Sequence, residues 1–215
     1  MNLLFHFIFK IRFESSKFEF NEEQFGDITD HKCWLNDSLI LYKEESSSLV
    51  EMTKSNKGIL LYRATRDGFG AKDFHSKCDG KANTITIIKN NLNYVFGGYA
   101  SEPWNSSFED EIDSNAFLFS LRRDGKSYND KFTFKNDNEY KFFLIGDENY
   151  GPIFGHELFI WDKSNIETGS STNFDFSLFN VPVGFYIDKN EENVLAGWTN
   201  TDWATTEIEV YEISN

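Results

Sequence analysis

The sequence predicts a mainly β (α+β) fold: two antiparallel sheets packed as a sandwich, with a few short helices. Three observations predict it. Short runs rich in Ile, Val, Thr, Phe and Tyr recur after Gly58, and these residue types fit strands. Clusters of Gly, Asn and Asp separate the runs, as turns do. Too few helical stretches lie between the runs to supply the crossovers of a parallel sheet. The 23 Phe and 3 Pro agree, because a disordered chain is poor in aromatics.

Before residue 57 the chain is irregular and charged. Glu44 to Lys54 is a helix candidate, with Leu49 and Met52 three apart on one face. Leu39-Ile-Leu41 precedes it as a strand or as the helix's first turn. Gly58 suits a left-handed helix exit. Ile59 to Tyr62 then reads as a short strand. Ala71 to Cys78 is a second helix, with Phe74 and Cys78 four apart, and Asp79-Gly80 stops it. Thr84 to Lys89 and Tyr94 to Tyr99 pair as a hairpin across Asn90–Asn93. Further strands are expected at Ala116–Leu121, Tyr140–Ile145, Glu157–Trp161 and Asn193–Ala196. The chain closes on Thr206–Ile213, with the acids Glu207, Glu209 and Glu212 on one face and Ile208, Val210 and Ile213 mostly on the other, the Val-Tyr step spoiling perfect alternation at the end. That pattern predicts an edge strand with an acidic outer face, a device that resists pairing with another chain.

Acids outnumber bases, 35 to 21, so the net charge is −14. That excludes general binding to a nucleic-acid backbone, which depends on Lys and Arg neutralising phosphates. No run approaches the ~20 apolar residues of a membrane span. Leu3 to Phe9 is apolar but lacks the basic start and small-residue cleavage site of a signal peptide. Cys33 and Cys78 read as reduced thiols of a cytoplasmic protein.

Tyr62-Arg-Ala-Thr-Arg-Asp-Gly-Phe69, Asp73-Phe-His75, Cys78-Asp79, Val95-Phe-Gly-Gly-Tyr99 and Trp104 follow one another in an ordered series. Gly155-His-Glu-Leu-Phe-Ile160, Gly169-Ser-Ser171 and Glu207–Glu212 continue it. The series resembles the TLDc domain family, in the variety found in protists and fungi alongside BTB or RING modules. The resemblance spans residues 38–213 and leaves 1–37 as an N-terminal extension, an added strand or a poorly ordered stretch. It implies a β-sandwich and a role as a protein-interaction domain without catalysis. It further implies a link to oxidative-stress resistance and regulation of the vacuolar proton-pumping ATPase (V-ATPase), with that pump's peripheral subunits as partners. An adaptor half of a BTB or RING architecture is the alternative.

Within the motifs, Arg63 and Arg66 could grip a partner's carboxylate, or with Asp67 could pin the turn into the helix at Gly68 and Phe69. His75 and Cys78 lie three apart on one helix. They are candidates for a nucleophilic pair, or for a packed Cys beside a capping or solvent-facing His. His156 and Glu157, after Gly155, are the best polar candidates for acid–base or binding work. Gly97 and Gly98 fit close approach by another backbone or a bulge, not a phosphate loop. Phe74 is read as core, and Trp104 and Trp161 as core aromatics or interface anchors. Trp198 and Trp203, among polar neighbours, are expected in a loop, partly exposed to a partner. No metal site or cofactor is expected. A hydrolase or redox enzyme using either His pair is the least favoured reading.

Overall fold

The computed structural model describes residues 35–135, 142–173, 178–180, 194–197 and 203–214, and among these form three helices and twelve strands. Expectations for Cys33, Trp198 and residues 1–34 fall outside them.

Helix α1 spans Lys43–Thr53. Glu45 Oε2 accepts the Tyr42 N–H at 2.8 Å, meeting one of the donors left orphaned where a helix starts. The helix exits at Lys54, in the left-handed region at φ 56°. Gly58, expected at that exit, lies instead within strand β1 (Lys57–Arg63). Leu39, Ile40 and Leu41 form neither a strand nor a helical turn, because side chains take their N–H groups. Leu39 donates to Glu209 at 2.9 Å, and Ile40 and Leu41 to Ser38 Oγ at 3.1 and 3.2 Å.

Helices α2 (Ala64–Asp67) and α3 (Ala71–Cys78) follow β1. Strands β2 (Thr84–Asn90) and β3 (Val95–Ala100) make the expected hairpin, Thr84 opposite Ala100 and Lys89 opposite Val95. Asn90 Oδ1 closes the turn by accepting the Leu92 and Tyr94 N–H groups at 3.1 and 2.9 Å. Next come β4 (Ser107–Ile112), β5 (Phe117–Arg123), β6 (Lys126–Phe134), β7 (Phe143–Asp147) and β8 (Tyr150–Phe154). Then follow β9 (Leu158–Trp161), β10 (Ser171–Thr172), β11 (Phe179–Asn180) and β12 (Thr205–Ser214). One sheet has seven strands in the order β1-β12-β2-β3-β5-β6-β11, and the other five, β10-β9-β8-β7-β4. Pairing between neighbours is antiparallel throughout.

The seven-stranded sheet is covered on both faces. Against the five-stranded sheet, Phe96, Leu118, Phe132 and Val210 pack with Phe154, Leu158 and Ile160. Against α1 and the segment before it, Ile85, Ile87, Phe117, Phe119 and Tyr211 pack with Leu35, Ile40 and Leu49. Side chains alternate faces along a strand, so neighbours such as Phe117 and Leu118 serve different layers. At the sheet-to-sheet joint, a Cβ on Gly98 would sit 2.6 Å from the Phe154 ring, while one on Gly97, on the opposite face, would meet the Thr86 carbonyl oxygen and the Phe119 ring. Trp104 fills the same joint. Its indole N–H donates to Thr84 Oγ1 at 2.8 Å, and its ring meets Phe74 and Phe154 edge-on, centroids 5.3 and 5.2 Å apart.

Several expectations change. Val194–Ala196 is a buried turn rather than a strand, and the Asn90 side-chain amide donates to the Ala196 carbonyl at 2.8 Å. Strand β12 is not an edge; it lies between β1 and β2, and Glu207 and Glu209 are buried. Trp203 is not a loop contact. It is 0 % exposed and packs edge-on to Phe96 at 5.5 Å, because β12 begins two residues later and draws it onto the sheet. Trp161 is 43 % exposed, on the side of β9 opposite the buried Leu158 and Ile160. Strands β4, β6, β8, β10 and β11 were not foreseen.

Arg122 and Glu45 join α1 to the sheet. A bulge between Ser120 and Arg122 brings Arg122 to the helix side. Its Nε and Nη2 donate to the two Glu45 oxygens at 2.8 and 2.5 Å, and its Nη2 also to the Ile40 carbonyl at 3.1 Å. The Tyr42 ring lies 3.7 Å from the guanidinium carbon, and both charged groups are buried. Glu45→Gln leaves Arg122 buried without its counter-charge and is expected to lower stability by about 3–5 kcal/mol in urea denaturation. The double change to Met at both positions is expected to fall well short of that loss, since it leaves no unpaired charge.

Candidate functional site

The motif residues converge where β1, α2 and α3 meet β12 and the five-stranded sheet. Buried glutamates of β12 hold this region from below. Glu209 Oε1 receives the Arg63 guanidinium, Nε at 2.9 Å and Nη2 at 2.7 Å. The same carboxylate receives the Leu39 N–H, the Ser38 hydroxyl at 2.5 Å and the Tyr211 hydroxyl at 3.2 Å. Arg63 Nη2 donates further to the Asp37 carbonyl at 2.6 Å. Glu207 accepts the Thr65 N–H at 3.0 Å and the Thr65 hydroxyl, so a carboxylate meets the free donors at the start of α2.

Asp67 organises the turn. Its Oδ2 accepts the Arg63 N–H at 3.0 Å, and Arg66 binds both its oxygens at 3.0 and 2.7 Å. The Arg66 hydrogen bonds hold the Asp67 carboxyl below the usual aspartate range, against the opposing effect of its burial. Gly68 follows at φ 113°, where L side chains are strained, and a Cβ there would sit 2.1 Å from Asp73 Oδ2. The Tyr62 hydroxyl donates to the Gly68 carbonyl at 2.7 Å. Burial, and then the charge of Asp73, push that hydroxyl far above the usual tyrosine range, so it stays a donor. Asp73 and Asp162 accept the Gly70 and Ala71 N–H groups at 3.0 and 2.8 Å and seat α3. Phe69 packs at the margin of the core and Phe74 inside it, edge-on to Tyr62 at 5.9 Å.

His75 and Cys78 do not form a pair. No hydrogen bond joins them among the described residues. Cys78 is fully buried, and burial pushes its thiol well above the usual range, opposite to what a nucleophilic thiolate needs. His75 is not solvent-facing. Its Nδ1 lies 2.7 Å from Asp79 Oδ1, and its Nε2 lies 3.0 and 2.9 Å from the Asp147 and Tyr150 carbonyls. The ring therefore ties α3 to the β7–β8 turn, with both nitrogens engaged.

His156 and Glu157 also part. His156 is exposed, while Glu157 is buried and its Oε2 would lie 2.3 Å from a Cβ on Gly155, which sits at φ 56°. Of the expected binding residues, Arg66 and His156 remain accessible, while Arg63, Asp67, His75, Glu157 and Trp203 are turned mainly inward. Sequence reasoning missed Glu207, Glu209, Ser38, Glu45 and Arg122. Alternation marked the β12 acids as surface, and nothing local announced their distant partners. Among the described residues no three His, Cys, Asp or Glu side chains gather as a metal site, and no helix is long and apolar enough to cross a membrane.

The Asp67 carboxylate favours the folded state only while charged. Its value is lowered on folding, so its contribution is present above about pH 4 and is lost as pH falls through the folded value. Asp67→Asn is expected to destabilise the protein at neutral pH and to match it more closely as pH drops below about 4, followed by denaturation at several pH values.

The TLDc domain family model matches residues 34–214. The MTOR-associated protein MEAK7 of Danio rerio is 28% identical over 98 residues, 46% of this chain and 21% of that protein. The match thus spans about a fifth of that relative's length. The β-sandwich, the Arg-Asp-Gly-Phe turn locked by Tyr62 and Asp73, and the family match over 34–214 agree, and the chain belongs to the TLDc domain family.

Proposed function

We propose that this chain is a non-catalytic protein-interaction domain of the cytoplasm, linked to oxidative-stress resistance and to regulation of the V-ATPase. The family match over residues 34–214 carries the reading. The arrangement of polar groups supports it. The motif's Arg63, Asp67 and His75 bind other parts of the same chain, and Cys78 is sealed in the core. Phe108, Ile112, Trp161 and Ile166 face outward, and exposed aromatics with aliphatic neighbours are the usual anchors of protein interfaces.

A second reading comes from the relative's printed description as MTOR-associated, over a matched stretch of 28% identity. In it, the partner is a complex containing MTOR. One experiment separates the two. The tagged chain is incubated with lysate of the source cell at low salt, and captured proteins are identified by mass spectrometry. Peripheral V-ATPase subunits are expected. Recovery of MTOR-complex components without pump subunits favours the second reading, and recovery of neither overturns both.

A further inference from the structure

The sheet edges differ in how they are protected. Strands β10 and β11 are two residues long, too short to template a partner. Strand β4 carries Glu109, Asp110 and Glu111 and a bulge between Ser107 and Asp110. Acids and bulges both discourage pairing with another chain. Strand β1 has seven residues, and within it only Lys57 and Arg63 are charged. Among the described residues nothing pairs with its outer side.

Its register defines what that outer side offers. The Ile213 N–H is donated to the Asn83 carbonyl, away from β1. By strand alternation Glu212 therefore turns its backbone toward β1, where it pairs with Ile59. Gly58 and Leu60 on either side of Ile59 then present their N–H and C=O groups outward. The Arg66 guanidinium takes the Leu61 carbonyl at 3.0 Å and ends the open stretch there. Beside it, Lys57, Gly58, Ile59, Ala82, Asn83 and Glu212 line a cleft of about 460 Å³, and Ile59 is 68 % exposed.

We propose that β1 is a docking edge for an extended acidic peptide, which adds as an eighth strand and lays an apolar side chain against Ile59. The charges select this occupant. Lys54 and Lys57 flank the strand's start, are exposed, and have no ion-pair partner among the described residues. Three of the acids nearby are already engaged, Glu209 with Arg63, Asp67 with Arg66 and Glu212 with Lys81. An unpaired cationic end on a chain of net charge −14 favours carboxylates in the incoming strand. A second copy of this chain fits poorly. Antiparallel pairing of Lys57–Arg63 with itself would set Lys57 opposite Arg63 and bring two strongly acidic bodies together. Added strands of this kind draw affinity from main-chain bonds and selectivity from alternate side chains. The inference rests on the interaction-domain reading for its partner class but not on the pump or MTOR assignment.

The test uses the full chain, isotope-labelled, with two acetylated eight-residue probes, one alternating Val and Glu and one alternating Val and Lys. The Val/Glu probe is expected to slow hydrogen exchange at the Gly58 and Leu60 amides. The variant Lys54→Glu/Lys57→Glu is expected to bind it about tenfold more weakly, with an unchanged melting temperature. Equal affinity for the Val/Lys probe overturns the proposal, as does a saturating Val/Glu probe that leaves Gly58 and Leu60 unprotected. Protection of these amides that grows with protein concentration alone would assign the edge to a second copy, and also overturns it. Because the exchange readout in the unaltered chain stands by itself, a poorly folding variant does not remove the test. Failure here leaves the lysate capture unaffected, so the two readings fall separately.

Discussion

The buried carboxylate of Glu209 is the constraint from which the arrangement around β1 follows. It is 0 % exposed. A lone charge in such a place is costly by several kcal/mol, so it must be surrounded by donors. The donors come from three parts of the chain: Ser38 and Leu39 ahead of α1, Arg63 at the end of β1, and Tyr211 on β12 itself. None of these parts can withdraw without leaving the charge under-satisfied. With Glu45 and Arg122 fixing the helix that follows, the segment before β1 is bound to the sheet at two charged points. The bond from Ser38 to Glu209 spans 171 positions in sequence. Closing that loop early is entropically unfavourable, so this clamp is expected to form late in folding, after the hairpins of the sheet.

Glu207 extends the same logic by one pleat. It lies on the same face of β12 as Glu209 and meets the start of α2 at Thr65. The strand thus uses one acid to hold the segment before α1 and another to hold the turn after β1. This is why β12 must sit inside the sheet and not at its edge. An acid on an edge strand would be solvated and would organise nothing.

The elements legible from the sequence are those whose signals are local. The β2–β3 hairpin shows its β-branched run and its Asn-rich turn within a dozen residues. Helix α3 shows its spacing of Phe74 and Cys78 and its Asp-Gly stop. Strands β4 and β6 were illegible because their side chains are largely exposed or half-buried, so they need no apolar alternation; their place comes from hydrogen bonding to β7 and β5. The polar site was illegible for a different reason. Glu209 and Glu212 have the same residue type on one strand. Standing three apart they lie on opposite faces by alternation, but only the packing on each face decides that one is sealed beneath Arg63 and the other part-exposed beside Lys81. Trp203 inverts the same lesson: polar neighbours in sequence did not prevent its burial, since Phe96 comes from a distant strand.

These distinctions decide where a partner can act. A side chain whose polar atoms are all engaged inside the chain contributes to binding only by shaping the surface above it. That describes Asp67 and His75 and the Nε and Nη2 of Arg63, whose bonds join β1, α2, α3 and the β7–β8 turn. Recognition must then come from groups that folding leaves unsatisfied. Among the described residues those are the outward apolar side chains and the free backbone of β1, with two unpaired lysines at its start. A rigid interior holding an incompletely paired edge is a low-entropy platform: little order is lost when a flexible strand lands on it, so the ordering cost falls mainly on the partner.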